Sequence, residues 1–331
     1  MANTGGERRP ADVNGVRLRV LDEGEGPLLL LLHGFPESAY SWRHQIAPLV
    51  AAGYRVVAPE QRGYGESSHP DSPDAYTIMH LVGDAVGLIA DAGAQEAVVV
   101  GHDWGATVAW NLALMRPDLV RGVVGLSVPP RPRGSAPPVR RMQEVYEGRF
   151  YTGYFEQPDV ADREFGRDVR AALRRFFHAL SGDNPENPQP LLVPHGGGLL
   201  DGMPDPRESP EWLSEADLDV FAGQFDDLGF TGALDWYRNL DRNWELTAPF
   251  EGAALRMPAL YVVGDRDPVL AFAHTIEALD ALGRVHPGLR EPVILPGCGH
   301  WTQQERPDEV TAELLGFLQS LPAPGQPGAT S

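Results

Sequence analysis

The sequence of 331 residues lacks lysine, because all 27 of its basic residues are arginine, and it contains a single cysteine, Cys298. Without lysine, chemistry that proceeds through a lysine Schiff base is excluded, and so is covalent attachment of pyridoxal phosphate. One cysteine excludes an internal disulfide, and no Cys/His spacing typical of a zinc site is present. Disulfide scaffolds and zinc modules are therefore excluded as classes.

Positive charge is scarce as well, since 46 acidic residues give a formal net charge of −19 at pH 7. This charge disfavours nucleic acid and anionic membranes as partners and favours a small-molecule ligand. The sequence contains neither an apolar run long enough to span a bilayer nor the apolar stretch of a signal peptide. We expect a soluble, cytoplasmic protein, with a homodimer left open.

Predicted strands and helices alternate along most of the chain. A hairpin around "DVNGVRLRVLDEG" precedes the predicted strands "PLLLLLHG", "YRVVAPE", "AVVVGHDWG", "RGVVGLSVPP", "MPALYVVGDRD" and "PVILPGCGH". Helices are predicted at about 38–51, 77–93, 105–115, 270–283 and 307–320. Alternation of this kind predicts an α/β fold with a mostly parallel, doubly wound sheet.

The alternation stops after Pro129 and resumes near residue 246. Between these points the sequence has helical segments, no convincing parallel strand and a Pro/Gly-rich stretch at about 182–210 that is typical of a loop. We therefore predict a core formed by 1–128 and 246–321, with a helical cap inserted at 129–245. The tail, 322–331, is expected to be disordered.

Four loops with glycine and polar residues follow predicted strands: "HGFPES" (33–38), "GHDWG" (101–105), "GDRDP" (264–268) and "GCGH" (297–300). Since the carboxyl ends of parallel strands share one edge of a sheet, we expect these loops to meet there. The second loop has the small-x-nucleophile-x-small pattern of a sharp turn between strand and helix. Its middle residue, Asp103, is a predicted nucleophile, and a helix-capping carboxylate is the alternative for that loop taken alone.

A carboxylate nucleophile indicates which bonds are attacked. Attack by Asp103 on a carbonyl would give a labile anhydride, whereas attack on an electrophilic sp3 carbon gives an alkyl ester of its own side chain. Water must then attack the carbonyl of that ester. The expected substrates are therefore epoxides or alkyl halides.

Hydrolysis of such an ester needs a general base and an oxyanion hole. His300 is the predicted base, and the backbone N–H groups of Phe35 and Trp104 are predicted to form the hole. On chemistry alone the acid that orients His300 is either Asp265 or Asp267, and the spacing from the strand end favours Asp267.

Three further polar residues lie in the same loops. Glu37 is a candidate for holding the hydrolytic water near His300, with an ordinary carboxylate at a helix start as the alternative. His33 and His102 are predicted to be structural, with ring nitrogens that hold neighbouring backbone.

Six stretches form a pattern that is specific when they are taken together: "HGFPESAYSWRHQ", "QRGYGESS", "VVGHDWGATVAW", "WYRNLDRNW", "GDRDPV" and "GCGHWTQQERP". With this pattern the chain resembles soluble-type epoxide hydrolases of the α/β-hydrolase fold over nearly its whole length. The resemblance implies that Asp103 opens the epoxide and that His300 and Asp267 activate water. It also implies that two cap tyrosines activate the epoxide oxygen, so that neither a metal nor an organic cofactor is needed.

The resemblance selects the two tyrosines by position. Tyr151, four residues before Phe155, matches the first, with Tyr154 as its rival, and Tyr237 matches the second. Ring opening develops an alkoxide, and a phenol with a pKa of about 10 can donate a hydrogen bond or a proton to it. A departing halide needs only weak donors, so the tyrosines favour an epoxide.

Two alternative functions remain compatible with an aspartate nucleophile. Haloalkane dehalogenases usually carry asparagine where this chain has Phe35, and fluoroacetate dehalogenases usually carry arginine where it has Trp104, so both departures favour an epoxide. A ligand-binding protein that has lost turnover would not need Asp103, Asp267 and His300 together. The sequence therefore predicts an epoxide hydrolase, with a dehalogenase and a catalytically silent binding protein as the alternatives.

Overall fold

The computed structural model of the protein describes residues 7–273 and 275–322. In this part of the chain eight strands form one sheet, in the order β1-β2-β4-β3-β5-β6-β7-β8. The strands are β1 Glu7–Val13, β2 Val16–Glu23, β3 Leu28–Leu32, β4 Arg55–Glu60, β5 Ala97–His102, β6 Val120–Leu126, β7 Ala259–Gly264 and β8 Val293–Leu295. The predicted α/β fold with a mostly parallel sheet is confirmed.

The antiparallel edge of the sheet begins with the predicted hairpin. Asn14 and Gly15 both have positive φ, at 48° and 78°, which is the backbone that a two-residue turn between paired strands requires. β2 then pairs antiparallel with β4, and each later neighbour in the sheet is parallel. Strands β3, β5 and β7 are buried along their whole length, as expected for parallel strands covered by helices on both faces.

The helices in the described residues cover both faces of the sheet and its carboxyl edge. They are α1 Ile46–Ala51, α2 Ile78–Asp91, α3 Trp104–Met115, α4 Pro138–Val145, α5 Tyr151–Phe155, α6 Val160–Gly166, α7 Val169–Leu180, α8 Glu215–Ala222, α9 Thr231–Arg238, α10 Leu240–Leu246, α11 Thr275–Val285, α12 Thr302–Glu305 and α13 Pro307–Gln319. Short 3-10 helices lie at Ala39–Trp42, Pro73–Tyr76, Leu200–Gly202, Ala248–Phe250 and Pro268–Ala271. None of the described helices is long and apolar enough to cross a membrane.

The helix predicted at about 38–51 is wrong as one continuous element. The structure has the 3-10 helix Ala39–Trp42, then a turn, and then α1. Pro48 explains the break, because the proline ring clashes with the carbonyl four residues earlier unless proline stands in the first turn of a helix. An α-helix that contains Pro48 therefore has to begin close to Ile46.

Helices α4 to α10 lie between β6 and β7, where the sequence predicts the cap. Several contacts tie this insertion to the rest of the chain. Arg43 pairs with Asp217 of α8 at 3.3 Å, and the indole N–H of Trp236 in α9 donates to the carbonyl of Arg62 at 3.1 Å. The insertion therefore lies over the carboxyl edge of the sheet. Its status as a separate cap domain stays a prediction, and most of the predicted tail lies outside the described residues.

Candidate active site

Asp103 lies at the turn between β5 and α3, with φ 53° and ψ −117°. A positive φ is rare for a residue with a side chain, so this backbone is strained. Glycines make the turn possible, because a Cβ on Gly101 would collide with the backbone of Gly105, and a Cβ on Gly105 with that of Leu32. The turn therefore holds Asp103 at the carboxyl edge of the sheet, as in a nucleophile elbow.

The two carboxylate oxygens of Asp103 have different partners. Oδ1 accepts a hydrogen bond of 2.9 Å from the backbone N–H of Phe35. Oδ2 lies 3.5 Å from Nε2 of His300, and the Asp103 side chain keeps 16% of its surface exposed. Trp104 is the first residue of α3, so its N–H has no acceptor within the helix. One oxygen thus faces the predicted oxyanion hole and the other faces the predicted base.

The His300 ring is oriented from its opposite side. Nδ1 lies 3.1 Å from Oδ1 of Asp267, and the His300 carbonyl accepts a hydrogen bond of 2.8 Å from Nε2 of His102. Asp265 points elsewhere, since its Oδ1 accepts a hydrogen bond of 2.7 Å from the N–H of Gly297. Of the two candidate acids, the structure brings Asp267 against the imidazole.

Sequence reasoning missed Ser127, the residue that follows β6. Its hydroxyl donates to Oδ2 of Asp267 at 2.5 Å and lies 2.6 Å from Nδ1 of His300. Ser127 is fully buried with φ 71°, and the Tyr261 hydroxyl donates to its carbonyl at 2.8 Å. The one signal in the sequence was its place at the carboxyl end of a central strand. Ser127 is therefore a fourth member of the hydrogen-bonded group.

The charges of this group shift two pKa values. Burial alone would lower the pKa of His300, but the carboxylates of Asp267 and Asp103 outweigh burial and raise it to about 10. Burial alone would raise the pKa of Asp103, but the contact with His300 outweighs burial and lowers that pKa below its ordinary value. At neutral pH the resting site therefore holds an Asp103 carboxylate beside a His300 imidazolium.

Glu37 is fully buried next to His102. Oε1 of Glu37 accepts from the side-chain amides of Gln303 and Gln304 at 3.0 and 2.8 Å, and Oε2 lies 2.6 Å from Nδ1 of His102. Burial alone would raise the pKa of Glu37, but His102 outweighs burial and lowers it. Ser38, and not Glu37, caps the following 3-10 helix. The role of Glu37 in holding water stays a prediction.

His33 and His102 both contact backbone groups. Nε2 of His33 accepts from the N–H of Gln61 at 3.1 Å, so Nδ1 carries the proton and donates to the carbonyl of Gly34 at 2.9 Å. Burial lowers the pKa of His33 to about 4, which keeps this ring neutral. Both histidines therefore hold loops of the site in place, His33 beside Gly34 and His102 beside the carbonyl of His300.

Tyr151 and Tyr237 come from α5 and α9 of the insertion, and both line a cavity together with Asp103. Their ring centroids are 6.0 Å apart at an interplanar angle of 74°. Burial, and then the charge of Asp103, raises the pKa of each phenol, so both stay protonated at neutral pH. Tyr154 is half-buried outside this cavity, and burial and the Glu164 carboxylate raise its pKa.

The cavity has a volume of about 320 Å³ and lies between the sheet edge and the insertion. Its size suits a small organic molecule. His300 and Trp104 also contribute to its wall. Most of the remaining lining is apolar and comes from Phe35, Trp110, Leu114, Val128, Val139, Met142, Leu180, Val269 and Phe272.

Comparison with known proteins adds a family and named relatives. Residues 27–307 match the model of the family described as alpha/beta hydrolase fold. Epoxide hydrolase A of Mycobacterium tuberculosis is 47% identical over 317 residues, which cover 95% of this chain and 97% of that protein. Epoxide hydrolase 2 of Siraitia grosvenorii is 39% identical over 319 residues, covering 95% of this chain and 99% of that protein.

Solved structures give the same comparison in three dimensions. The crystal structure of Epoxide Hydrolase A from Mycobacterium thermoresistibile superposes with a TM-score of 0.88 and 46% identity, covering 96% of this chain and 99% of that chain. An epoxide hydrolase from an endophytic Streptomyces superposes with a TM-score of 0.92 and 44% identity, covering 96% of each chain.

Proposed function

Because the chain belongs to the epoxide hydrolases of the α/β-hydrolase fold family, we propose that it converts epoxides to vicinal diols through an ester on Asp103. The proposed two-step mechanism rests on one observation, which is that the two carboxylate oxygens of Asp103 have different neighbours. The Phe35 N–H lies 2.9 Å from Oδ1, and Nε2 of His300 lies 3.5 Å from Oδ2. Such an arrangement suits an oxygen that attacks and an oxygen that becomes a carbonyl.

Ring opening is the first step. Oδ2 of Asp103 attacks an sp3 carbon of the oxirane, the carbon–oxygen bond breaks, and the oxirane oxygen leaves as an alkoxide. The phenols of Tyr151 and Tyr237 donate hydrogen bonds to that oxygen and supply a proton as its charge develops. Oδ1 becomes the carbonyl oxygen of the ester and keeps the hydrogen bond from the Phe35 N–H.

Hydrolysis of the ester is the second step. His300 accepts a proton from water while the water oxygen attacks Cγ of Asp103, and negative charge collects on Oδ1. The N–H groups of Phe35 and Trp104 stabilise that charge. Collapse of the tetrahedral intermediate breaks the bond to the ester oxygen, which takes the remaining proton of the attacking water, so that the diol leaves and the Asp103 carboxylate is restored. Asp267 and Ser127 keep the His300 ring in the orientation that this step requires.

Formation of the ester also prepares the base. In the resting site Asp103 is one of the two carboxylates that raise the pKa of His300 to about 10. The ester is neutral, so the contribution of Asp103 disappears and the pKa of His300 falls. His300 then loses its proton more readily, the phenolate left by ring opening takes up one proton in exchange, and the neutral imidazole becomes able to accept a proton from water. His300 therefore becomes an effective base only after Asp103 has acted as the nucleophile.

An assay with two substrate classes tests this function. The purified protein is incubated with styrene oxide and separately with a 1-haloalkane, and diol, alcohol and halide are measured. We expect diol from the epoxide, no halide release, and no diol from Asp103→Asn. Halide release without diol would favour a dehalogenase, and binding of the epoxide without diol would favour a binding protein.

A further inference from the structure

The cavity that holds Asp103 also holds a cation that the proposed mechanism does not use. Arg131 follows β6 and lines the cavity together with Asp103, Tyr151 and His300. The lining residues all belong to the described part of the chain, and Arg131 is the one among them with a permanent positive charge. The lining around it is mostly apolar, so this charge is the main feature of the cavity that could attract an anionic group.

The guanidinium of Arg131 has more N–H donors than it uses in hydrogen bonds to the described residues. The residue as a whole keeps exposed surface although protein surrounds the guanidinium, and Nη2 donates to the hydroxyl of Thr275 at 2.8 Å. Among the side chains that the structure describes, no carboxylate pairs with Arg131. Arg133, two residues further on, is different, since it pairs with Glu251 at 3.0 Å and stacks on the Trp244 ring at 3.9 Å. Arg131 is thus available to a ligand, and Arg133 is engaged.

Arg131 is also close enough to the reacting groups to influence them. Burial and the charge of Asp103 raise the pKa of Tyr151, and the Arg131 guanidinium opposes that rise. Protein around the guanidinium lowers the pKa of Arg131, while the phenols of Tyr261 and Tyr151 oppose that change. The charge and the nucleophile therefore share one cavity of about 320 Å³.

We propose that Arg131 binds a carboxylate carried by the substrate, so that the enzyme prefers epoxides with a carboxylate near the oxirane. The inference rests on the proposed epoxide hydrolysis and adds the substrate class. A planar guanidinium pairs with a planar carboxylate through parallel hydrogen bonds, which favours this anion. The net charge of −19 and Asp103 itself repel anions, so an anionic substrate needs a local cation in order to bind.

The test uses pairs of substrates that differ in charge alone. Glycidate, 3,4-epoxybutanoate and 4,5-epoxypentanoate are each compared with the corresponding primary amide, which has nearly the same shape. The quantity measured is the ratio of kcat/KM for the acid to kcat/KM for the amide. Intrinsic reactivity of each pair cancels when this ratio is compared between the wild type and Arg131→Gln.

For at least one chain length, we expect the acid-to-amide ratio to fall about 30-fold in Arg131→Gln, because a charge-assisted hydrogen bond is lost. In Arg131→Lys the acid-to-amide ratio should fall less, because the positive charge remains although the two parallel N–H donors of the guanidinium are lost. Arg140→Gln is the matched control. Arg140 is exposed on α4 and pairs with Glu144, so this variant removes one positive charge outside the cavity and should keep the wild-type ratio.

Several outcomes would overturn the inference. If Arg131→Gln slows acids and amides equally at every chain length, Arg131 acts on the phenols or on the fold and not on a carboxylate. If Arg140→Gln lowers the ratio as much, general charge and not this site sets the preference. Conversion of amides without any preference for acids would refute the substrate class alone. Failure of the wild type to convert any of these epoxides would refute the proposed function as well.

Discussion

Nε2 of His300 lies 3.5 Å from Oδ2 of Asp103. The opposite nitrogen of the same ring faces Asp267 at 3.1 Å, so the imidazole lies between two carboxylates. One of these carboxylates is the proposed nucleophile, whose charge would disappear on formation of the ester. The proximity of His300 and Asp103 therefore couples the charge of the Asp103 carboxylate to the protonation of the His300 imidazole.

This coupling predicts a lower pKa for His300 when the charge of Asp103 is removed. In the wild type the pKa is raised to about 10, so the ring is protonated below that pH. Asp103→Asn removes one of the two carboxylates that favour the protonated form, so the ring should lose its proton at a lower pH. NMR titration of the imidazole in both proteins measures the change.

Asp265→Asn is the matched control for that titration. Asp265 belongs to the same loop as Asp267 but bonds to the N–H of Gly297, so its loss should leave the titration of His300 close to that of the wild type. An equal pKa for His300 in the wild type and in Asp103→Asn would contradict the proposed switch.

Replacing the base should separate the two chemical steps. In His300→Gln we expect the epoxide to open and the ester on Asp103 to accumulate, because hydrolysis slows by about 1000-fold without the general base. Intact-mass spectrometry should show the mass of the protein plus one substrate. The double variant with Asp103→Asn should show no adduct, and an adduct there would place the ester on another residue.

The two phenols should act on ring opening alone. We expect Tyr151→Phe and Tyr237→Phe each to slow ester formation by about 100-fold, since the departing oxygen loses a donor. Hydrolysis of an ester already formed should change little. Single-turnover kinetics resolves the two steps. Tyr154 is half-buried outside the cavity, so Tyr154→Phe should form the ester at a rate within about twofold of the wild type. Slow ester formation in Tyr154→Phe together with a normal rate in Tyr151→Phe would assign the role to Tyr154 instead.

The hydroxyl of Ser127 should matter for the second step. In Ser127→Ala, Asp267 loses the donor at 2.5 Å and His300 loses the neighbour at 2.6 Å. We expect ester hydrolysis to slow about 10-fold with ring opening nearly unchanged, because the base is less well oriented. Burst kinetics and thermal melting together provide the readout. A role in folding alone would instead lower the melting temperature and leave the ratio of the two rates unchanged.

The sequence predicts those parts of the site that a local motif marks. Asp103 lies in a turn that the five-residue motif GHDWG marks by its two glycines. His300 and Asp267 follow strands that the residue pattern identifies. The shared edge of a parallel sheet then brings them together. For these residues, local structure and topology suffice.

The remaining contacts depend on packing that no short stretch contains. The stretch around Ser127 is typical of the end of a strand, and its role arises because β6 pairs with β5 on one side and β7 on the other. Arg131 forms a hydrogen bond with Thr275, 144 residues away in the sequence, and Glu37 forms one with Gln304, 267 residues away. Such distances in sequence leave no local signal.

A single turnover in water enriched in 18O tests the central claim most directly. Enzyme in excess over epoxide is allowed to react once, and the diol and the peptide that contains Asp103 are analysed by mass spectrometry. If Oδ2 of Asp103 attacks the epoxide, the first diol carries no label and the Asp103 carboxylate gains one 18O atom. Label in the first diol with an unlabelled Asp103 would mean that water attacks the epoxide directly, and the ester mechanism would be wrong.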